Sequence, residues 1–401
     1  MYRRIALALA VVTAAGCTSS TFIDDVAFLN RHTDVVILTP DRTSNARIAV
    51  CPKLQGRVMT STAASSGGLS FGWINRDLIA SAETRKHINA YGGEDRFWLG
   101  PEGGQFSIFF AKGTPQDLAS WQTPAPIDSE PFDVARSEVD NVLLRKKMRL
   151  VNASGTVFEL EVQREIRMLH DKDPGRILGI QPDEGMRWVG YQSRNKITNT
   201  SDREWKRETG LLSAWILGMF NPSPRTTVVI PFKQGPDEKL GPIVNDAYFG
   251  KVPGDRLKIE PGVLFFKGDG QKRSKIGVSP RRSLGVLGSY DADNQVLTII
   301  HFNQPKGAVD YVNSMWEIQK EPFAGDAANS YNDGPASPGA APLGPFYELE
   351  SSSPALPLKA GLSFTHTHTT FHFQGSVDEL DKIAHRLLGT GIAQITSALP
   401  Q

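Results

Sequence analysis

Short apolar runs, each bounded by glycine, proline, asparagine or aspartate, recur along most of this 401-residue chain. The clearest are residues 35–38, 142–144, 156–162, 227–230, 262–266 and 295–300. Between about residues 34 and 373 there is almost no sustained helical apolar period. Because strands alternate their side chains between two faces, such runs predict many short strands. We therefore expect an all-β fold, a large antiparallel β-sandwich over residues 34–375.

The C-terminal residues 376–401 have a different pattern and predict a helix followed by a tail. Ser376 is a suitable N-cap with Glu379 three residues later, and Gly389 is placed to end the helix. The apolar residues between them share one helical face: Val377, Leu380, Ile383, Ala384, Leu387 and Leu388. Residues 324–345 are rich in small residues and predict a long loop. We find no boundary that would divide the chain into independent domains.

The N-terminus resembles a bacterial lipoprotein signal peptide. A short basic segment, 2–4, precedes an apolar run, 5–15, and the segment 14–17 reads Ala-Ala-Gly-Cys. The resemblance implies that residues 1–16 are removed and that Cys17 is acylated. Residues 17–33 would then be a tether, and the protein would be lipid-anchored in the cell envelope, facing the periplasm or the outer membrane. A plain signal peptide cut nearby is the alternative.

The charge balance limits the partners. The chain has 44 Lys plus Arg against 43 Asp plus Glu, a net charge of +1, so we expect no nucleic-acid partner. With Cys17 acylated, Cys51 has no intrachain partner for a disulfide, and the core must supply the stability. We expect a monomer.

Several common catalytic motifs are absent from the sequence. It has no Walker-type phosphate loop, no HExxH, no CxxC and no GxSxG. Nucleotide-dependent, zincin-like and serine-hydrolase chemistries therefore have no local support, and we predict neither a metal nor a cofactor.

A polar and aromatic cluster, residues 91–106, suits a carbohydrate. Two glycine pairs flank Glu94, Arg96 and Trp98. An aromatic face can stack on the apolar face of a sugar, and charged groups can bond to its hydroxyls. We name these three residues as candidate sugar ligands, and a buried ion pair of Arg96 with a carboxylate is the alternative.

A second cluster carries a resemblance to a known superfamily. A Leu-Glu pair at 349–350, a Leu-Lys-Ala-Gly turn at 358–361 and a final Thr-rich strand resemble the C-terminal end of aldose 1-epimerases and the wider galactose mutarotase-like superfamily. The resemblance implies a mutarotase-like sandwich in which Glu350 is the general base for the anomeric hydroxyl. Strand alternation puts Glu348 on the same face, so it is a competing candidate. A solvated acidic strand end is the alternative.

Residues 92–106, together with 313–317, more closely resemble a family of exported bacterial proteins of unknown function.

The sequence departs from the mutarotase pattern where that superfamily has its acid. The expected histidine is replaced by the run 214–218, which reads Ala-Trp-Ile-Leu-Gly. Ring opening needs a proton for the ring oxygen as well as a base, so another acid must serve. His301 and His366 are candidates, with His368 as a substrate-binding neighbour. The alternative for His301 is a satisfied core histidine, and for the histidines of the last strand it is an exposed or aromatic-packed polar strand face.

Three further residues complete the candidate sugar ligands: Trp316, Glu317 and Asn332. The basic run 272–275 can recognise acidic sugars such as uronates, or it is a solvated loop. The leading hypothesis is a carbohydrate-active protein, possibly an epimerase-like enzyme with a carboxylate base. A glycan-binding lipoprotein without catalysis is the alternative.

Overall fold

The computed structural model describes residues 20–400, and antiparallel sheets dominate this part of the chain. The strands are β1 (Val36–Leu38), β2 (Arg47–Cys51), β3 (Arg57–Thr62), β4 (Arg96–Gly100), β5 (Asp133–Ser137), β6 (Asn141–Val151), β7 (Val157–Met168), β8 (Arg187–Asn199), β9 (Ser213–Phe220), β10 (Thr226–Pro231), β11 (Leu257–Glu260), β12 (Val263–Lys267), β13 (Ser274–Val278), β14 (Val286–Asp291), β15 (Val296–Phe302), β16 (Ala328–Asn332), β17 (Tyr347–Ser352) and β18 (Ser363–Gln374).

The helices are short and lie between or after the strands. They are α1 (Phe22–His32), α2 (Arg76–Ser81), α3 (Ala125–Asp128), α4 (Asp173–Leu178), α5 (Asp237–Leu240), α6 (Val377–Leu388) and α7 (Ile392–Ser397), with a 3₁₀ turn at Arg207–Thr209. None of the helices within residues 20–400 combines the length and the apolar character that crossing a bilayer requires. The acylation expected at Cys17 and the signal peptide of residues 1–16 lie outside the described residues.

Two sheets form the body of the fold. A ten-stranded sheet has the order β11-β12-β10-β14-β15-β18-β8-β7-β6-β5, and a five-stranded sheet has the order β13-β16-β17-β9-β4. A smaller sheet, β1-β2-β3, lies next to the start of β4, where Val58 forms an isolated bridge with Asp95. The predicted all-β fold of large antiparallel sheets is confirmed.

The predicted C-terminal helix is also confirmed as α6. Ser376 and Glu379 form a capping box, and Gly389 ends the helix in the left-handed conformation. Its buried residues, Leu380, Ile383, Ala384 and Leu388, pack with Phe371 and Phe373 of β18. The helix therefore covers the outer face of the ten-stranded sheet, and the other face of β18 points toward the interior.

Two segments differ from their predicted character. Part of the predicted tether is the helix α1, which Thr21 caps and which buries Phe22, Phe28 and Leu29. The predicted loop 324–345 contains the strand β16, which pairs with both β13 and β17. In both segments the polar or small residues dominate the sequence pattern, so the few apolar side chains that make the packing contacts are not recognised from the sequence.

Buried ion pairs link the sheets. Arg164 of β7 and Asp95, just before β4, are both fully buried, with Nη2 and Oδ1 2.7 Å apart. Arg164 Nη1 also donates to Asn195 Oδ1 at 2.8 Å. Such a pair fixes the position of β4 against the larger sheet, because either charge alone would be costly to bury.

We expect Arg164→Met to lower the free energy of unfolding by about 3–5 kcal/mol, since it leaves the Asp95 carboxylate buried without its counter-charge. Arg194→Met is the matched control, because the ion pair of Arg194 with Glu165 on the same sheet is exposed and should contribute at most about 1 kcal/mol. Urea unfolding measures both. Equal losses in the two variants would contradict the structural role assigned to the buried pair.

Candidate functional site

The five-stranded sheet forms one wall of a cavity of about 620 Å³. Strand alternation places residues of β4, β9, β17, β16 and β13 on this face. Those that line the cavity include Arg96, Trp98, Trp215, Leu217, Met219, Glu348, Tyr331 and Lys275. Residues from loops form the opposite wall, among them Glu102, Trp121, Phe249 and Trp316, together with part of the segment 334–343.

Four tryptophans give the cavity its aromatic surface. The rings of Trp98 and Trp215 meet edge to face, with centroids 5.5 Å apart. Those of Trp121 and Trp316 are stacked, with centroids 5.6 Å apart. The sequence analysis named Trp98 and Trp316, and the structure brings both to the same cavity.

Arg96 and Glu348 are hydrogen-bonded to each other in the cavity wall. Arg96 Nη2 donates to Glu348 Oε1 at 2.7 Å, and its guanidinium lies 4.3 Å from the ring centroid of Trp98. Burial raises the pKa of Glu348 to about 8, although Arg96 opposes the shift, and the nearby charge of Glu350 adds to it. Glu348 is therefore largely protonated at neutral pH.

Glu350 lies one layer behind the cavity surface. It is fully buried and is not among the lining residues, and its Oε2 accepts from Trp215 Nε1 at 2.8 Å and from Lys275 Nζ at 3.0 Å. Both of those donors line the cavity and separate Glu350 from it. Of the two competing carboxylates, Glu348 reaches the cavity, and Glu350, the predicted base, does not.

Glu102 is a cavity residue that the sequence analysis missed. Burial raises the pKa of its carboxyl, Lys275 opposes the shift, and the charge of Glu350 adds to it. Its loop packs closely on residues 315–316, because a Cβ on Gly103 would lie 2.2 Å from the Met315 carbonyl oxygen. The sequence signal that could have identified Glu102 is its position between a proline and two glycines, within the cluster of residues 91–106.

His87 was also missed, and it is a histidine that lines the cavity. Its Nδ1 lies 2.5 Å from the carbonyl oxygen of Trp121. No pattern in the sequence around it distinguishes it from a surface histidine.

Glu94, predicted as a sugar ligand, lies in the interior between the sheets and does not line the cavity. Its carboxylate accepts from Ser61 Oγ at 2.8 Å and from the Tyr191 hydroxyl at 3.1 Å, and it lies 3.1 Å from His372 Nε2. All four side chains are buried. Although Glu94 is only two residues from Arg96 in the sequence, its contacts are with buried residues of the core.

His366 and His368, predicted as an acid and as a sugar ligand, likewise lie in the core and do not line the cavity. Both are fully buried, and Ser351 Oγ lies 2.8 Å from His366 Nε2 and from His368 Nδ1. Ser351 faces away from the cavity, because it alternates with Glu350 on β17. Burial lowers the pKa of His366 to about 3 and that of His368 to about 4.

Three further candidates also lie elsewhere. His301 is on the same face of β15 as Leu297 and Ile299, which pack in the cluster that contains α6, and burial lowers its pKa. Glu317 is exposed and is not a lining residue. Asn332 is buried on β16, where its side chain bonds to Gly270 N and to the Lys272 carbonyl. These contacts make Asn332 a structural residue.

No group of three histidine, cysteine, aspartate or glutamate side chains suited to a metal ion occurs within residues 20–400.

Comparison with known proteins identifies a family and similar folds. The sequence model of a family of unknown function (DUF6786) matches residues 20–399. No curated protein matches the chain. At these low identities the likeness to the solved structures below concerns the fold alone.

Among solved structures, a putative aldose 1-epimerase from Escherichia coli is 11% identical, with 86% of this chain and 99% of that one covered and a TM-score of 0.49. A galactose mutarotase-like protein from Lactobacillus casei is 11% identical, with 84% and 100% covered and a TM-score of 0.47. A putative mutarotase from Salmonella typhimurium is 11% identical, with 85% and 92% covered and a TM-score of 0.49.

The buried histidine pair predicts acid sensitivity of the fold. His366 and His368 stay neutral when folded but bind protons when unfolded, so their contribution to stability is complete above about pH 6.5 and is lost as the pH falls toward 4 and then 3. Each should lower the free energy of unfolding by about 1.4 kcal/mol per pH unit in that window.

Urea unfolding between pH 7 and pH 4.5 measures this slope, which should be shallower in His366→Gln and in His368→Gln. His385→Gln is the control, because His385 is an exposed histidine on α6. An unchanged slope in both core variants would show that other groups control the acid sensitivity.

Proposed function

We propose that this chain, which belongs to the DUF6786 family of unknown function, binds a carbohydrate in the cavity of the five-stranded sheet and exchanges protons with it. The observation that carries the proposal is that two carboxyl groups with raised pKa values, Glu102 and Glu348, line one cavity walled by four tryptophans.

The composition of the cavity supports a carbohydrate ligand. Indole faces suit the apolar C–H faces of a pyranose ring, and carboxyl and guanidinium groups suit its hydroxyls. A volume of about 620 Å³ lies within the range of roughly 300–1,000 Å³ typical of small-ligand sites.

The two carboxyl groups suit proton transfer in opposite directions. Glu348 carries a proton at neutral pH because its pKa is about 8, so it can donate to a ring oxygen. Burial raises the pKa of Glu102 as well, although Lys275 opposes the shift, and the ionised form of Glu102 can accept a proton from an anomeric hydroxyl. Together they supply the acid and the base that ring opening requires, and the reaction would be an epimerisation of the aldose type.

Glu350 acts on this chemistry through charge. Its proximity raises the pKa values of both Glu102 and Glu348, and its ion pair with Lys275 keeps it in place behind the wall. We therefore assign it the role of a positioning and tuning group, in place of the base that the sequence resemblance implied.

A glycan-binding protein without catalysis is the second candidate. The contacts of the two carboxyl groups favour this candidate. Glu348 is hydrogen-bonded to Arg96, and Glu350 is hydrogen-bonded to Lys275. Carboxylates held in this way are suited to a fixed binding surface.

We expect Glu348→Gln to slow anomer exchange at least 100-fold while the affinity for the same sugar changes only a few-fold, because the variant keeps the shape of the side chain but cannot deliver its proton. A panel of reducing sugars is followed by exchange-detected NMR, with binding read from line broadening. Glu321→Gln is the control, since Glu321 is exposed and outside the cavity lining.

A wild-type protein that binds a sugar of the panel but does not speed its anomer exchange would favour the binding protein. Absence of binding to any sugar of the panel would contradict the carbohydrate proposal itself.

Exchange should decline as the pH rises through about 8, since the acid form of Glu348 is lost there. The exchange rate measured from pH 6 to pH 9.5 on wild type tests this expectation. A rate that stays level or rises across that interval would exclude Glu348 as the proton donor.

A further inference from the structure

Three cations line the cavity, and two of them are already hydrogen-bonded to a carboxyl group within the described chain. Arg96 is bonded to Glu348 at 2.7 Å, and Lys275 is bonded to Glu350 at 3.0 Å. Arg273, which directly precedes β13, forms no ion pair or side-chain hydrogen bond within residues 20–400, and its guanidinium stacks on Phe249 instead. The donors of Arg273 are therefore open to a ligand.

Packing holds the Arg273 side chain in place. Its guanidinium carbon lies 3.7 Å from the ring centroid of Phe249, and Phe249 in turn meets the ring of Tyr331 edge to face. The guanidinium is half-buried, so it is partly ordered before a ligand arrives. A stacked guanidinium loses less freedom on binding than a free chain would.

Two acidic side chains lie near Arg273, and neither forms an ion pair with it within the described residues. Burial raises the pKa of Asp333 and that of Glu102, and the charge of Arg273 opposes both shifts. The oxygens of Asp333, however, accept from the Tyr331 hydroxyl and from Gly344 N, both at 2.9 Å. Asp333 thus supports the start and end of the segment 334–343, and the donors of Arg273 stay open.

The guanidinium of Arg273 offers N–H donors and no acceptor. An ionised carboxylate is the matching group, because its two oxygens only accept hydrogen bonds, whereas each sugar hydroxyl also carries a donor.

We propose that the cavity recognises a saccharide bearing a carboxylate, a uronic acid unit, with Arg273 as the residue that selects the acidic group. This inference rests on the proposed carbohydrate function and narrows its ligand class. The planar fork of a guanidinium matches a carboxylate through two parallel hydrogen bonds, and stacking on Phe249 leaves the edge of the fork free for them.

The experiment compares dissociation constants, by titration calorimetry, for three forms of one hexose: the neutral sugar, its 6-carboxylate and its 6-phosphate. We expect wild type to bind the carboxylate at least tenfold more tightly than the neutral form. In Arg273→Gln this ratio should fall below threefold. Lys272→Gln should retain the wild-type ratio, because Lys272 is the exposed neighbour and its loss removes the same charge from outside the cavity.

Each alternative outcome has its own meaning. Equal binding of the neutral sugar and the carboxylate, or a ratio that survives in Arg273→Gln, would overturn the uronate assignment while leaving carbohydrate binding intact. Tighter binding of the phosphate than of the carboxylate would overturn it as well. Absence of binding by all three sugars, with the variants folded by thermal melting, would remove both the assignment and the proposed function.

Discussion

The pairing of charges buried between the two large sheets is the constraint on which the rest of this structure depends. Asp95 meets Arg164, and Glu94 meets Tyr191 and His372, so the residues just before β4 are fixed to the ten-stranded sheet. Because β4 starts from that anchor, Arg96 emerges on the opposite face, in the cavity. Losing a partner from this interior would cost stability and would also displace the wall of the site.

Buried charged side chains are also paired in the cavity wall. In the register of the five-stranded sheet, Arg96 lies in one row with Glu350, and Lys275 lies in one row with Glu348, yet each cation pairs with the carboxylate of the other row. Glu348 and Glu350 lie two residues apart on the same face of β17, and burial, together with the nearby charge of Glu350, raises the pKa of Glu348. A site for proton exchange thus arises from ion pairs that also hold the sheet.

Glycine makes the close approach of segments possible around this wall. Gly92 has a φ of 97°, and a Cβ there would lie 2.0 Å from the carbonyl oxygen of Trp73. The glycine pair before Glu94 was noticed in the sequence as a sign of function, and its physical role is to let the chain pass residue 73 before the buried anchor. A cluster that suggested a ligand site therefore combines a structural half, Glu94 and Asp95, with a cavity half, Arg96 and Trp98.

The class of the fold follows from the sequence alone, because short apolar runs bounded by turn residues favour strands, and α6 follows from Ser376, Glu379 and Gly389. The sequence also identified Arg96, Trp98, Trp316 and Glu348, which the structure brings to one cavity. Only the tertiary structure decided which face of each strand points inward. Strand alternation places Glu348 on the same face as Glu350, and His366 on the same face as His368. Contacts between the sheets, which no local pattern encodes, determine that these histidines are buried in the core and that Glu102 and Arg273 line the cavity.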